Sequence, residues 1–403
     1  MTTLPELDID PFTEDVLADP TDFHKLLRAA GPVVKLQQSE GHDIVGVGRH
    51  AVMQAVYENH ADFISGRGSG ILDLARDEPF RVPGLLNETD PPYHDVVRKV
   101  TTEIISPRFL RGLRRDFQAK ADALVDWLLD KKEINAHLDM TEAFPLEVIP
   151  DAIMGARSHG RENLLKYSVW LFESMGPKTP RARRVLESVD NVQGAVAWVE
   201  ESSQRENVHP GSIGAKFWEA ADQGLLSESE AATMTRTLVG AGMDTTIYSL
   251  GMTVNLLLDN PDQYALLHAQ PELGKFAFDE ALRWGTSVRQ VFRTPSRDVE
   301  IEGVPVKEEQ KIMLVLGAAG RDPQRWGPTA DDFDITRDSS GHLSLGRGIH
   351  SCVGAPLARM EAEILLGTFA RRVKSIERIG ESTPYINNTL RGWVDIPMRL
   401  HAA

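Results

Sequence analysis

The chain has a single cysteine, Cys352, and its neighbours are of types that favour a metal ligand. It lies in LGRGIHSCVGAPLARME (345–361), where Pro356 marks the first turn of a predicted helix. Backbone N–H groups at a helix start lower the pKa of a thiol, and glycines such as Gly354 let the backbone approach a bulky, flat group. We therefore expect Cys352 to bind a metal cofactor; a buried structural cysteine is the alternative.

A second segment with chemical potential is TLVGAGMDTTIYSLGMTVNLLLD (237–259), an apolar helix interrupted by small and polar residues. Asp244 and Thr245 place an acid directly beside an alcohol. A threonine here can hydrogen-bond a carbonyl one turn back, which weakens the helical ladder and leaves a groove beside Ala241. A helix bend without chemistry is the alternative.

Most of the chain that must position these residues has helical periodicity. Apolar residues recur at spacings of three and four from about 101 to 282, in PTDFHKLLRAA near the N-terminus and again after Cys352. β-Branched segments predict short strands in GPVVKL, HDIVGVG, VEIEGVPV and KIMLVLGAAG. With no internal repeat or clear linker, we expect one mainly α domain with a minor β part over residues 1–403.

Composition excludes several classes of protein. Of 403 residues, 41% are hydrophobic, and the formal charge of −15 disfavours nucleic acid or an anionic membrane surface as partner. One cysteine allows neither an internal disulfide nor a site with several thiolates. The acidic, proline-containing start MTTLPELDIDPFTEDV is not typical of a signal peptide, and no apolar run is long enough for a membrane span. We expect a cytoplasmic monomer.

The cysteine segment has the pattern G-x-G-x-H-x-C-x-G-x-x-L-A-R, which resembles the haem-binding loop of the cytochrome P450 superfamily. The resemblance implies a triangular, helix-rich fold around haem b, with the Cys352 thiolate as axial iron ligand and His350 at a haem propionate. Leu345 stands where the family usually has phenylalanine. This departure should change the packing beside the sulfur and leave the ligand in place.

Other segments agree with that resemblance. Glu280 and Arg283 of FDEALRW are one helical turn apart, which by itself predicts an exposed ion pair worth a few tenths of a kcal/mol. The family resemblance instead implies a buried structural element joined by Arg337. The phrase GRDPQRWGPTADDFDITR fits the same pattern, with Gly320 where asparagine is common.

The family resemblance implies that basic residues in two segments bind the haem propionates. DPPYHDVVRK puts His94 and Arg98 on one helical face, which without the resemblance would indicate a surface helix. Arg293 of VFRTP has a similar position in the β region. Cations against two carboxylates make strong, charge-assisted hydrogen bonds.

The A-G-x-D-T-T pattern resembles the oxygen-activating helix of the same superfamily. The resemblance implies that small residues such as Ala241 make room for dioxygen, that Thr245 hydrogen-bonds it, and that Asp244 relays protons from solvent. The expected activity is that of a monooxygenase with O2 as co-substrate. A haem sensor or carrier would not need the acid–alcohol pair, and a hydrogen-peroxide-dependent peroxygenase is a third possibility.

Several stretches resemble a narrower bacterial group that oxidises para-substituted benzoates, including 4-methoxybenzoate O-demethylases. They are EPFRVPGLL, LFESMGP, RTLVGAGMDTT, RQVFRTPSRDVE and INNTLRGWVDIP. This resemblance implies carboxylate binding by Arg81, with Arg236 and Thr237 nearby, and an aromatic slot lined by Phe172, Phe292 and Val291. Gly84 replaces a serine and Met175 a second aromatic residue. A phenolic ether or a terpene is the alternative substrate, with the arginines on the solvated surface.

The chain has no flavin- or pyridine-nucleotide-binding module, so we expect electrons from a ferredoxin and its reductase. An arginine cluster on a predicted helix, with Arg359 after the cysteine, could dock an acidic ferredoxin. Its members are Arg108, Arg111, Arg114 and Arg115. A solvated helix face is the alternative.

Overall fold

The computed structural model describes residues 4–37, 40–155 and 160–403. Helices dominate and the sheets are small, so the predicted mainly α class with a minor β part is confirmed. Within these ranges, no helix combines the length and hydrophobicity that crossing a bilayer requires.

The helices follow one another through most of the middle of the chain. The α-helices are α1 Glu14–Ala18, α2 Thr21–Ala30, α3 His50–Glu58, α4 Tyr93–Ile104, α5 Pro107–Lys131, α6 Ala143–Ile153, α7 Glu162–Ser174, α8 Pro180–Ser188, α9 Val192–Ser202, α10 Ile213–Asp222, α11 Glu228–Asp259, α12 Pro261–Ala269, α13 Gly274–Trp284, α14 Leu316–Gly320, α15 Pro323–Trp326 and α16 Ala355–Arg372. A π-helical segment, His137–Glu142, precedes α6, and short 3₁₀ turns occupy Pro271–Leu273 and Gly348–His350.

The strands are β1 Glu6–Leu7, β2 Val34–Leu36, β3 Ile44–Val47, β4 Phe63–Ile64, β5 Glu133–Asn135, β6 Gln290–Pro295, β7 Val299–Ile301, β8 Val304–Val306, β9 Lys311–Val315, β10 Val373–Arg378, β11 Thr383–Pro384, β12 Trp393–Asp395 and β13 Pro397–Ala402. Six of them form a sheet in the order β1-β2-β3-β9-β6-β4, and three form a second sheet in the order β10-β13-β5. The larger sheet joins the N-terminal segment to residues from the last third of the chain.

The 32-residue helix α11 runs through the largest hydrophobic cluster. Ser227 and Glu230 form a capping box at its start, and Asn260 followed by Pro261 ends it. Its residues are buried nearly all round, as expected for a helix that is apolar on every side. Helix α16 packs against α5 and α13, which fixes the cysteine loop directly before it.

The prediction of a strand through KIMLVLGAAG is only half right. Strand β9 ends at Val315, and Leu316–Gly320 forms the short helix α14. Gly320 is confined by close backbone approach, because a Cβ there would lie 1.9 Å from the carbonyl oxygen of Arg283. An asparagine at position 320 would require the backbone at Arg283 or Gly320 to shift.

Candidate functional site

The cysteine loop is held in a tight conformation just before α16. The N–H of Cys352 donates to the carbonyl of Leu345 at 2.7 Å, and Gly346 and Gly348 have φ angles of +68° and +67° that favour glycine. The side chain of Leu345 is half-buried against the main core, and Leu345 and Cys352 line the same cavity.

Two opposing effects act on the pKa of the Cys352 thiol, and burial outweighs the expected lowering by the helix start. Cys352 is exposed by surface area, yet burial among neighbouring protein atoms raises the pKa of its thiol. Hydrogen bonds from the N–H groups of Gly354 and Ala355 lower it, as the helix start predicted, but they do not outweigh desolvation. A bound metal ion would reverse this balance, because its charge favours the thiolate.

Four basic residues converge near the loop. The rings of His94 and His350 lie 4.6 Å apart, and neither Nε2 atom has a partner among the residues the structure describes, although both are buried. Arg98 donates to the carbonyl oxygen of Ser351 at 2.5 Å and to its hydroxyl at 3.2 Å. Arg293 is buried, with its guanidinium 5.3 Å from the ring centre of Tyr57.

The electrostatics of these residues suit an anionic group. Burial, with the nearby charges of Arg293 and His94, lowers the pKa of His350 to about 4. Burial also lowers the pKa of Arg293. Unpartnered imidazole nitrogens and desolvated cations beside an accessible thiol fit a haem, whose two propionates would meet the cations and whose iron would meet the sulfur. Haem bound there supplies the redox-active iron for oxygen activation.

The middle of α11 is unusually accessible for a buried helix. Ala241 is exposed and Gly242 and Thr245 are half-buried, whereas their neighbours on either side are buried. Thr245 donates its hydroxyl to the carbonyl of Ala241 at 2.6 Å, and Thr246 does the same to Gly242 at 2.8 Å. These are the predicted bonds to the preceding turn, and the helix continues through them.

Asp244 is a buried acid whose pKa lies close to neutral pH. Burial raises its pKa to about 7, the charge of Glu142 adds to the rise, and the neighbouring Ser168 hydroxyl opposes it. In the described parts of the chain, Oδ1 of Asp244 and Oγ of Ser168 have no hydrogen-bond partner of regular geometry. A carboxyl group with this pKa can both donate and accept protons at neutral pH.

Arg81 has an internal partner that the sequence did not reveal. Its guanidinium forms two hydrogen bonds with Glu88, at 2.8 and 3.0 Å, and both side chains are largely buried. Glu88 also accepts from the N–H of Gly84 and the hydroxyl of Ser69. Burial acts to raise the pKa of Glu88, but Arg81 and these donors hold it below its ordinary value. Arg81 is therefore largely shielded from solvent, and Glu88 is its counter-ion.

The presence of glycine instead of serine at position 84 is consistent with the limited space there. A Cβ at this position would lie 2.0 Å from Oδ1 of Asn87, so a serine would require Asn87 to move.

A second cation approaches the same region from α11. Arg236 lies 3.7 Å from a carboxylate oxygen of Glu200 and donates to the carbonyl of Val82 at 3.4 Å. Burial raises the pKa of Tyr167, while the charges of Arg236 and Arg81 both act to lower it. Tyr167 thus lies within electrostatic reach of both arginines, and no sequence signal singled it out. Thr237, next to Arg236, is half-buried.

The predicted slot residues separate into two groups. Phe172 is buried in the main core, and half-buried Met175 borders a small cavity with Phe80 and Arg81. Val291 and Phe292 are consecutive in β6, so their side chains point to opposite faces of the sheet and cannot both line one slot. Phe292 is buried in a separate cluster on the sheet, whereas Val291 is half-buried. The expectation that Phe292 lines the slot is corrected accordingly.

Glu280 and Arg283 form a buried structural network. Both side chains have no exposed surface, which rules out the surface ion pair. Arg283 donates twice to Glu280 at 2.7 Å, and Arg337 adds a bond at 3.1 Å. Arg283 also donates to three backbone carbonyls, those of Gly320, Ala330 and Asp332. The network ties α13 to α14 and to the segment leading to the cysteine loop.

Comparisons with known proteins bear on the whole chain. A family model described as Cytochrome P450 matches residues 272–390. The chain is 41% identical over 401 residues to "Cytochrome p450 CYP199A2" of Rhodopseudomonas palustris, covering 99% of this chain and 95% of that protein. It is 32% identical over 356 residues to "Cytochrome P450 107B1" of Saccharopolyspora erythraea, covering 85% and 84%.

A solved structure shares the architecture. That of CYP109Q5 from Chondromyces apiculatus matches with a TM-score of 0.81 at 28% identity, covering 98% of this chain and 99% of the other. The two chains therefore have one overall fold along nearly their full lengths.

Proposed function

Because the chain belongs to the cytochrome P450 family and is a haem b monooxygenase that uses O2, we propose that its substrate is a para-substituted benzoate such as 4-methoxybenzoate. Substrate, dioxygen, two electrons and two protons would give water and a hemiacetal hydroxylated on the methoxy carbon. The hemiacetal then releases formaldehyde and 4-hydroxybenzoate.

The observation that carries this proposal is the proximity of two arginines, since Arg236 donates to the carbonyl of Val82, the residue next to Arg81. The charges of both arginines also act on the nearby Tyr167. A substrate carboxylate leaving water must be paired, and two arginines with a phenol offer suitable donors. Half-buried Met175 and Val291 and buried Phe172 are the proposed slot residues, and Thr237 offers a further hydroxyl. Anchoring one end of a rigid ring fixes which carbon is presented for oxidation.

We propose roles for the remaining site residues. We assign the haem ligand to Cys352, with Gly354 and Ala241 lining the haem. The propionate contacts are assigned to His94, Arg98, Arg293 and His350. Thr245 and Asp244 are assigned to hydrogen bonding of dioxygen and to proton supply.

We expect Arg81→Ala to weaken 4-methoxybenzoate binding by about 10- to 100-fold, since a charge-assisted hydrogen bond contributes roughly 1.5–3 kcal/mol. The neutral methyl ester should bind poorly to the parent and change little in the variant. Titration of the substrate-induced spin-state shift of the haem measures both.

Because Arg81→Ala also leaves Glu88 without its main partner, Arg81→Ala/Glu88→Gln should be compared with Glu88→Gln alone. The single Glu88→Gln variant should bind benzoate at least as tightly as the parent, because it removes a competing carboxylate. Tighter binding of a neutral phenol or terpene than of any benzoate would contradict the carboxylate hypothesis and leave the monooxygenase assignment intact.

We also propose that a ferredoxin docks on the face formed by α5. Arg108, Arg111, Arg114 and Arg115 are exposed, and Arg114 pairs with Glu363 of α16. Arg359 is less available, because it forms two hydrogen bonds with Asp279.

Charge reversal in Arg111→Glu/Arg115→Glu should lower the rate of reduction by an acidic ferredoxin on the order of tenfold at low ionic strength. The difference should shrink as salt screens the charges. The matched control is Arg183→Glu/Arg184→Glu on α8, where both arginines are also exposed. Equal, salt-insensitive effects in the two variants would mean that the partner binds elsewhere.

A further inference from the structure

Asn388 lies at a junction of three segments that are far apart in the chain. It belongs to the loop between β11 and β12 and has no exposed surface. Its side-chain Nδ2 donates to the backbone carbonyls of Glu173 at 2.9 Å and of Pro177 at 3.1 Å, and its Oδ1 accepts from Arg181. Its backbone carbonyl accepts from Nε2 of Gln290 at 2.8 Å. Both N–H bonds and the oxygen of the side-chain amide are therefore engaged.

The two segments bonded to Asn388 carry the proposed slot residues. The carbonyls that accept from its side chain lie two residues before and two residues after Met175, which directly follows α7. Gln290 directly precedes Val291 in β6. Asn388 is thus attached on both sides of one slot residue and beside the other.

The junction is closely packed and contains a buried ion pair. A Cβ on Gly176 would lie 2.5 Å from the Cβ of Asn388, so a larger residue there would displace the loop. The N–H of Asn388 donates to Oε2 of Glu173 at 3.2 Å, and Arg181 donates to Oε1 of the same carboxylate. Both charged side chains are buried. Because a buried ion pair requires good geometry, the carboxylate, the guanidinium and the amide fix one another's positions.

A second bridge joins the same two slot segments elsewhere. The N–H of Ile71 donates to the carbonyl of Met175 at 2.9 Å, and the N–H of Phe292 in β6 donates to the carbonyl of Ser69 at 3.1 Å. This loop holds the two segments together independently of Asn388. Loss of the Asn388 side chain should therefore loosen the slot and leave its walls folded.

We propose that Asn388 is a positioning residue that fixes the separation between Met175 and Val291 and thereby limits the width of the substrate slot. The inference rests on the proposed function, because it takes both residues to be walls of the slot for a benzoate ring. It extends that function to specificity, since a substituent at the meta position adds width and should weaken binding. Asn388 has no exposed surface, so it acts through these two residues and does not touch the ring.

The first test compares 4-methoxybenzoate with 4-methoxy-3-methylbenzoate, which has the same carboxylate and para group and is wider by one meta methyl group. In Asn388→Ala, the ratio of the two dissociation constants should shift by about tenfold in favour of the wider compound, a change of the size that one hydrogen bond produces. Titration of the substrate-induced spin-state shift measures both constants. A protein that is merely destabilised would keep the ratio.

Two further variants separate positioning from a general loss of packing. Asn388→Asp keeps the side-chain volume and the oxygen that accepts from Arg181 but loses both amide donor bonds, so it should shift the ratio in the same direction. The matched control is Asn255→Ala. Asn255 is a buried asparagine near the end of α11 that accepts from Arg378 and Ser382, which belong to neither slot segment. This control should lower the unfolding temperature and leave the ratio unchanged.

The second test does not need a carboxylate substrate. Imidazoles that carry an aryl group bind haem iron through a ring nitrogen and place the aryl ring on the substrate side. In Asn388→Ala and Asn388→Asp, the ratio of dissociation constants for 4-phenylimidazole and 4-(3-methylphenyl)imidazole should also shift by about tenfold in favour of the wider ligand. The position of the Soret band during titration measures binding of both ligands.

An unchanged imidazole ratio in both variants at position 388, or an equal shift in Asn255→Ala, would overturn the positioning role. These outcomes are separable from failure of the substrate proposal. A parent enzyme that binds neither benzoate would contradict the proposed substrate, and a shifted imidazole ratio would in that case still support the role of Asn388.

Discussion

Cys352→His should lose the red-shifted Soret band that reduced, carbon-monoxide-bound haem shows with a thiolate ligand, and its oxygen-dependent turnover should fall to background. Thiolate donates electron density that favours cleavage of the O–O bond, and a neutral imidazole does so far less. The absorption spectrum of the reduced, carbon-monoxide-treated protein measures the ligand change directly. Among the predicted effects on activity, this is the largest.

The matched control lies in the same loop. Leu345→Phe introduces the residue that the family usually has, and it leaves the backbone bond from Cys352 to the Leu345 carbonyl available. This variant should keep the red-shifted band, with at most a change in reduction potential caused by different packing. If Cys352→His and the parent had the same spectrum, Cys352 would not be the iron ligand.

Glu280→Ala should produce the largest loss of stability. It would leave Arg283 with an unpaired charge in a position without solvent exposure. Breaking one partner of a buried ion pair costs about 3–5 kcal/mol, a large part of the roughly 5–15 kcal/mol that stabilises a typical protein. Denaturant-induced unfolding of the haem-bound protein, followed by circular dichroism and by release of haem, measures the loss.

Two controls separate the buried charge from other effects. Glu363→Ala removes the ion pair with Arg114, in which both side chains are more than a third exposed, and should cost no more than about 1 kcal/mol. The Ser339 hydroxyl also donates to Glu280 at 2.7 Å. Glu280→Gln keeps side-chain volume and some of the hydrogen bonds to Arg283 and Ser339, so it should be less destabilising than Glu280→Ala. A Glu280→Ala variant as stable as Glu363→Ala would show that the network contributes little.

In the proposed substrate region, the sequence did not reveal which partners the charged side chains have. The resemblance to the benzoate-oxidising group implied that Arg81 binds a substrate carboxylate, but Glu88, seven residues later, already forms two hydrogen bonds with it. The loop from Arg81 to Glu88 has no regular repeat, so its backbone path cannot be deduced from residue spacing. Substrate binding here should therefore depend on the balance between Arg81, Arg236 and their acidic partners Glu88 and Glu200.

Strand geometry also distinguishes two of the predicted slot residues, Val291 and Phe292. Val291 and Phe292 are both apolar and adjacent, and the motif alone does not indicate which one faces the site. Alternation along β6 requires that only one does, and the burial of Phe292 in a sheet cluster identifies Val291 as the candidate. The strand predicted through 311–320 ends at Val315, because an apolar run by itself does not distinguish a buried strand from a short buried helix such as α14.

The amino-acid sequence by itself determined the family, the helical fold class and the haem cofactor. Those properties depend on short motifs whose residues are neighbours in the chain or one helical turn apart, such as the cysteine loop and the Asp244–Thr245 pair. Local spacing and helix geometry are sufficient to place such residues relative to one another.

Only the tertiary structure decided the environment of each charged group. The partner of Arg81, the complete burial of Glu280 and Arg283 and the raised pKa of Asp244 depend on the three-dimensional surroundings of these residues. Desolvation and the charges of such neighbours set a pKa and the strength of an ion pair. Neither quantity is encoded in local spacing, so both emerge only when the chain is folded.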